Sequence, residues 1–251
     1  MARQKGIIKL EGTIGDVSFY KSQDGYLARE KGGVDKERIK NDPAFQRTRE
    51  NGSEFGRAGK AGRTLRTSLR VLMQKASDKK VTSRLTREMI KVLQSDPNNV
   101  RGERTVSEGN INLLNGFEFN INGKLSATLY AQYGIDFDRA AGSVSIDLID
   151  IVPANVIAAP SGATHMKLVA GVGEVNFDTE AFKFAQDSTN ELPIDQNLIG
   201  AISLEPAVTP NTSDDVFLAL GIEFMQQVNG EMYPLRNGSF NPLAIVFIDR
   251  V

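Results

Sequence analysis

The residues with the clearest capacity for chemistry lie in one short stretch, EFGRAGKAGRTLRTSLR, residues 54–70. It holds glycines 56, 59 and 62 at a spacing of three, the cations Arg57, Lys60, Arg63, Arg66 and Arg70, and no acid after Glu54. Such a pattern serves a phosphate cradle, a nucleic-acid helix, or a helix that docks on an anionic protein surface. The cradle fails on two counts. Gly59-Lys60 is followed by Ala61, where a phosphate loop needs Ser or Thr for its magnesium ion, and no buried strand precedes it.

At 100° per residue, Phe55, Ala58, Ala61, Gly62, Leu65, Leu69, Leu72 and Met73 fall in one arc, and Lys60, Arg63, Arg66 and Arg70 in the opposite one. The spacing predicts one amphipathic helix over 55–73. Three glycines in a helix each cost roughly 1 kcal/mol relative to alanine. The expected compensation is close approach of another backbone, from a second helix or a second subunit.

Other candidate groups are sparse. His165 is the only histidine, so a His-rich metal site is excluded and a Ser-His-Asp triad would have to use it; at a predicted strand end it reads as structural. Asp147/Asp150 and Asp214/Asp215 could be glycosidase carboxylates or calcium ligands, but Asp214/Asp215 follow PNTS in a turn and lack the Asp/Asn/Gly spacing of a calcium loop, and solvated acids are the plainer reading. Gly171-Val-Gly173 lies in a strand pattern, lacks the third glycine of a dinucleotide loop, and reads as a bulge. No catalytic, metal or cofactor residue is assigned, and no small-molecule substrate is identified.

The elements that position the cations follow from turn and cap signals. GIIKL and DVSFYKSQDGYLARE read as a small β ribbon turning at Asp24-Gly25, with Val17/Phe19 and Ser18/Tyr20 on unlike faces. Tyr20, Tyr26, Arg29 and Lys31, with Lys21, could stack and hold bases there, although tyrosines covering a ribbon is the plainer reading. Asp42-Pro43 starts a helix, Asn51-Gly52 interrupts it, and Ser53 caps the next. TSRLTREMIKVLQSDP predicts a further helix capped by Thr82 or Ser83, with Leu85, Met89, Ile90, Val92 and Leu93 on its apolar side and Asp96-Pro97 as its stop. Lys79, Lys80, Arg84, Arg87 and Lys91 cluster on or beside it. The two helices form a basic hairpin.

From residue 106 the texture is that of strands. GFEFNINGKL alternates and turns at Asn122-Gly123; SVSIDLIDIV, THMKLVAGVGEVNF, AFKFAQ, DVFLALGIEFMQQV and PLAIVFIDRV follow, with Asn229-Gly230 as a second hairpin turn and the last strand paired through Val251. About seven strands in 146 residues predict an antiparallel β-sandwich. The fold class is therefore α+β, with residues 1–105 a basic β ribbon plus helices and residues 106–251 an acidic sandwich.

That division is sharpest in charge. Residues 1–105 carry 24 Lys and Arg against 13 Asp and Glu, and residues 106–251 carry 6 against 18. A basic half attracts either a polyanion or the acidic half of another copy. There is no cysteine, which removes disulfides, thiolate metal sites and Cys nucleophiles. No stretch approaches the ~20 apolar residues of a membrane helix, and the N-terminus lacks a signal-peptide core. Synthesis in the cytoplasm without a Sec-type signal is expected, with a virion or an extracellular assembly as compatible destinations.

LEGTIGDVSFYKSQDGYLAREKGG followed by NDPAFQRTRENGSEFGRAGKAGRTLR resembles the start of a group of uncharacterised proteins common in Bacteroidetes-type bacteria and sometimes encoded near phage-like genes. Gly12, Gly15, Phe19 and Tyr20 match its Gly-x-hydrophobic-Gly ribbon, and Asn41, Gln46 and Arg49 its Asn-x-x-x-x-Gln-x-x-Arg helix; NDPAFQRT replaces the usual Asn-Pro-x-Thr-Pro. The resemblance covers about a quarter of the chain and implies an N-terminal β/helical part joined to a sandwich, with no reaction or ligand. Three roles are expected in order: a non-enzymatic structural protein that self-assembles, its basic part docking on the acidic sandwich of another subunit; a nucleic-acid-associated virion or DNA-packing component; and a carbohydrate-binding sandwich, disfavoured by the absence of Trp.

Overall fold

The computed structural model describes residues 2–30, 33–76 and 78–250. The chain divides into two compact units, Met1–Glu50 and Asn51–Val251. The step at residues 105/106 is thus one of charge rather than of packing, because helices and strands of the second unit share a core.

In the first unit, β1 (Ala2–Arg3), β2 (Gly12–Ile14), β3 (Val17–Ser22) and β4 (Gly25–Glu30) form an antiparallel sheet in the order β1-β4-β3-β2. The hairpin loop is Gln23-Asp24, and Gly25, at φ +103°, pairs with Ser22. α1 (Lys36–Asn41) is capped by Asp35, whose carboxylate accepts from the Glu37 N–H at 2.7 Å. It is a short helix with no buried residue, so apolar periodicity did not announce it. Asp42 then caps a 3-10 turn, Pro43–Phe45, by accepting from the Ala44 N–H at 2.9 Å.

α2 (Gln46–Ser68) runs without a break through Asn51-Gly52, contrary to the expected interruption. Neither residue adopts a positive φ, and a Cβ on Gly52 would meet open space. Burial of Ala58, Ala61 and Leu65 holds the helix together: one fully buried leucine contributes about 2 kcal/mol against roughly 1 kcal/mol lost at a glycine. The helix ends earlier than expected, at Ser68. Leu69 departs from helical geometry (φ −93°, ψ 16°) and α3 (Arg70–Met73) follows. The Ser68 hydroxyl donates to the Leu65 carbonyl at 2.8 Å and Thr67 to Arg63 at the same distance, and such back-bonding bends helices.

α4 (Val81–Gln94) starts at Lys80 without a side-chain cap, so Thr82 and Ser83 lie inside its first turn. Its end is secured by Asp96. That carboxylate accepts from the backbone of Asn98, Asn99 and Thr105 and from the Asn99 amide, at 2.8–3.1 Å. Burial would push its pKa up, but the bonds from Asn99, Thr105 and Asn98 outweigh this and hold it far below the usual carboxylate range. A carboxyl depressed in the folded state stabilises above its unfolded pKa of about 3.9, and that contribution is lost as pH falls toward the folded value. Asp96→Asn is therefore expected to flatten the stability profile below about pH 4, as read by denaturant melts across pH; an unaltered profile would remove Asp96 as the acid-sensitive group.

The remaining elements are β5 (Tyr133–Asp138), β6 (Ser143–Leu148), α5 (Pro153–Val156), β7 (His165–Val175), β8 (Phe182–Ser188), β9 (Leu192–Pro193), β10 (Ile202–Leu204), β11 (Asp215–Val228), β12 (Glu231–Pro234) and β13 (Leu243–Asp249). β10-β6-β5 form a three-stranded sheet. A six-stranded sheet runs β12-β11-β7-β8, with β13 beside β11 and β9 beside β7, all antiparallel. The fold is α+β.

The larger sheet is buried on both faces. Met166, Leu168, Ala170 and Val172 of β7, with Val216, Leu218, Leu220, Ile222 and Phe224 of β11, pack against Val144, Ile146, Leu148 and Leu204 of the smaller sheet. The opposite face presents Val169, Val175, Phe217, Ala219, Leu243 and Ile245 to Ala58, Leu65, Leu69, Leu72, Leu85, Met89 and Leu93 of the helices. The unit thus has three layers: helices, six-stranded sheet, three-stranded sheet. Gly171 and Gly173 do not mark a bulge, since the register of β7 is regular on both sides. They let α3 and the end of α2 approach the sheet: a Cβ on Gly171 would lie 2.6 Å from Leu72 Cδ1 of α3, and one on Gly173 2.9 Å from Ser68 Oγ of α2. The bulge sits instead between β11 and β13, at Leu218/Ala219.

Asn229-Gly230 forms the expected hairpin, both residues at positive φ between β11 and β12. Asn122-Gly123 does not. The segment 116–119 lies along β13, with the Phe119 N–H donating to Leu243 at 2.7 Å, and Gly123 sits where a Cβ would be 2.3 Å from the Phe240 carbonyl. Here glycine serves a close backbone approach, which the same dipeptide cannot distinguish from a turn. Val251 lies outside the described residues; pairing of the last strand is seen to Asp249. No helix among the described residues is long and apolar enough to cross a membrane.

Candidate functional site

The structure sorts the nine expected helix cations into two groups. Lys60 pairs with Glu180. Arg84 is a structural staple: Nη1 donates to the Glu118 carbonyl at 2.7 Å, Nη2 to the Phe119 carbonyl at 3.1 Å and to Asp78 at 2.6 Å, and the guanidinium lies over the Phe117 ring. Arg87 and Lys91 share Glu88, at 3.1 and 2.6 Å. These four are neutralised within the chain.

Arg63, Arg66, Arg70, Lys79 and Lys80 form the other group. Arg63, Arg66 and Arg70 line a groove of about 360 Å³ with Thr67, Met73 and Gln74. Arg66 is fixed by donating to the Gly62 carbonyl at 3.0 Å and, through Nη1, to Thr82 Oγ1 at 2.6 Å, which ties the groove to the first turn of α4 just beyond Lys79 and Lys80. Burial, and then the charge of neighbouring Arg63, press its pKa below the usual value. Among the described residues none of these five side chains has an acidic partner. Helical spacing predicted this face. It could not show which cations would find partners elsewhere in the chain.

The glycines of the opening stretch behave unequally. A Cβ on Gly62 would sit 3.6 Å from Met89 and 3.7 Å from Leu85, ordinary contact with side chains of α4, whereas Gly56 and Gly59 face open space. The expected backbone approach is absent at all three. Phe55 is 60% exposed and so leaves the predicted apolar arc. Glu54 takes the inward position, accepting from the Gly102 N–H at 2.9 Å, beneath a loop that Arg57 holds through the carbonyls of Gly102 and Arg104.

The ribbon residues do not converge. Arg29 lies over Tyr20 on one face of the sheet (5.4 Å), while Lys21 and Lys9 lie over Tyr26 on the other (5.5 and 5.9 Å). Lys31 lies outside the described residues. A single stacking platform made of Tyr20 and Tyr26 is ruled out by this register.

A second charged surface, of which the sequence singled out only Asp147, covers the outer face of the three-stranded sheet. The register puts Asp136 beside Ser145, Asp138 beside Ser143, and Asp147 between Gly134 and Ser203. Ser203 Oγ donates to Asp147 at 2.6 Å and to Glu205 at 3.3 Å. Hydrogen bonds from Ser145 and Ser203 hold the Asp147 carboxyl below the usual range. The partners on this face are small and uncharged, and none of Asp136, Asp138, Asp147 and Glu205 is paired with a cation among the described residues. The signal was present in YGIDFD and SVSID, where acids and serines occupy the positions alternate to buried Val144, Ile146 and Leu148.

The remaining candidates have hydrogen-bond partners within the chain. His165 Nδ1 shares a hydrogen bond with Thr164 Oγ1 at 3.0 Å. Asp214 accepts from the Asn176 amide, and Asp215 accepts from Nε and Nη2 along one edge of the Arg250 guanidinium, so this acid pair is split between two links. They line a pocket of about 180 Å³ with Ser107, Asn176 and Asp178, in which Arg250 also donates to the carbonyls of Ser107 and Gly109. No group of three or more His, Asp or Glu among the described residues could hold a metal ion. No protein-family model matches the chain, and no curated protein or solved structure matches it.

Proposed function

We propose that this chain is a non-enzymatic structural subunit that assembles head to tail, the arginine groove of one copy meeting the acidic serine face of the next. One observation carries the reading. A cationic surface and an anionic surface, each without compensating charge, occupy opposite outer layers of one compact unit. Two layer spacings of about 10 Å each separate them, so a single copy cannot pair them with each other. Unlike patches that meet between copies make a heterologous contact, which closes into a ring or continues as a filament. Arg63 and Arg70, with no acidic partner among the described residues, are free to donate in pairs to carboxylates.

The test is sedimentation of the full chain at low and high salt. Wild type is expected to form large species that shrink as salt rises. Arg63→Glu/Arg70→Glu and Asp136→Lys/Asp147→Lys should each weaken association at least tenfold with the fold intact by circular dichroism, and mixing the two variants should restore it. Assembly unchanged by either reversal overturns the proposal. So does a wild-type monomer that instead holds nucleic acid with steep salt dependence, which would give the groove a phosphate backbone as its partner.

A further inference from the structure

We infer that the N-terminal ribbon is a second, isologous contact, one face of its sheet packing antiparallel on the same face of another copy, with Lys21 of each over Glu30 of the other. The inference does not depend on the arginine groove. The register Gly12↔Phe19↔Ala28↔Ala2 runs across all four strands and sets Phe19 at the centre of one face, among small residues. Ile14 and Val17 share that face and are 63% and 37% exposed. No side chain of residues 2–30 is buried, so these strands form a single layer without a core of their own. A sheet with one apolar face buries that face against another layer.

Charge identifies that layer. Lys21 and Tyr26 close the turn end of the face, where Lys9 also lies, while Glu30 sits opposite Val17 at the other end. Among the described residues Glu30 has no cationic partner. Two copies related by a twofold axis perpendicular to the strands superpose the cationic end of each on the acidic end of the other. An axis along the strands would oppose like charges. The face is therefore complementary to itself in one orientation, and the other face, carrying Arg29, Arg3 and Tyr20, is not.

The experiment uses the full chain with Arg63→Glu/Arg70→Glu, in which the head-to-tail contact is removed. Sedimentation is expected to show a dimer. Lys21→Glu or Glu30→Lys added to that background should weaken the dimer at least tenfold, the two together should restore it to within a few fold, and Arg29→Glu on the opposite face should leave it unchanged. Because the chain has no cysteine, Lys21→Cys/Glu30→Cys should give a disulfide-linked dimer on mild oxidation. The two positions lie four residues apart along the sheet, about 13 Å, too far to bridge within one copy. A monomeric background variant, or a dimer indifferent to both reversals, overturns the inference and leaves the head-to-tail proposal standing.

Discussion

Gly109→Ala is expected to destabilise the second unit by on the order of 3 kcal/mol or more, although it adds a single methyl group. The added Cβ would lie 2.1 Å from the Val92 carbonyl oxygen and 2.8 Å from its carbon, and both atoms are backbone at the end of α4. Neither side can yield cheaply. Val92 O already accepts from the Ser95 N–H and hydroxyl, Ser95 Oγ accepts from the Asn110 N–H at 2.7 Å, and the Gly109 carbonyl accepts from Arg250 at 2.6 Å. At about 2–4 °C per kcal/mol for a domain of this size, the melting temperature should fall by roughly 6–12 °C. Gly59→Ala is the companion measurement: its Cβ meets nothing within 4 Å, so it should stabilise α2 by about 1 kcal/mol. Equal effects at the two glycines would mean that the loop does not press on α4.

Phe217→Ala is expected to cost about 4 kcal/mol. The side chain is fully buried on the helix-facing side of β11 and meets Phe177 edge to face at 5.9 Å between ring centroids. Its removal leaves a cavity between two layers that are each fixed by a second set of contacts, so collapse is limited and the loss lies toward the upper end of large-to-small changes. Phe55→Ala, at an exposed position on α2, should change stability by less than about 0.5 kcal/mol. A denaturant midpoint that moves alike for the two phenylalanines would contradict the layer assignment.

What was legible in the sequence was periodic. Leu65, Leu69, Leu85 and Leu93 lie buried where helical spacing puts them, and alternation along SVSIDL puts Val144, Ile146 and Leu148 on the one face that is buried. β11 shows the limit. Alternation puts Val216, Leu218, Leu220, Ile222 and Phe224 on one apolar face, but Phe217 and Ala219 are equally buried, because a strand between two layers has no solvent side. Glycines carried the least information. Gly230 turns a hairpin, Gly123 admits a neighbouring carbonyl, Gly171 admits a leucine, and Gly52 does nothing but remain helical; only the fold distinguishes these uses. The candidate surfaces follow the same rule. Helical spacing located Arg63, Arg66 and Arg70, but not that Arg84 would be consumed by carbonyls 34 and 35 residues away, nor that Asp136 and Asp147 would share a sheet face.

The helix-facing core has a consequence in time as well as in space. α2 and α4 come early in the chain, yet the surface that covers their apolar side is assembled from β7, β11 and β13. The last of these begins about 150 residues after α4 ends, which at 5–20 residues per second corresponds to roughly 8–30 s of synthesis. Until β7 and β11 arrive Leu65, Leu69, Leu85 and Leu93 have no sheet to rest on, and until β13 is made that sheet lacks its last helix-facing strand. Pairing so remote in sequence also folds slowly once complete. The expected consequence is that these leucines stay accessible on the nascent chain until the strands arrive, which limited proteolysis of chains stalled before and after β13 would read.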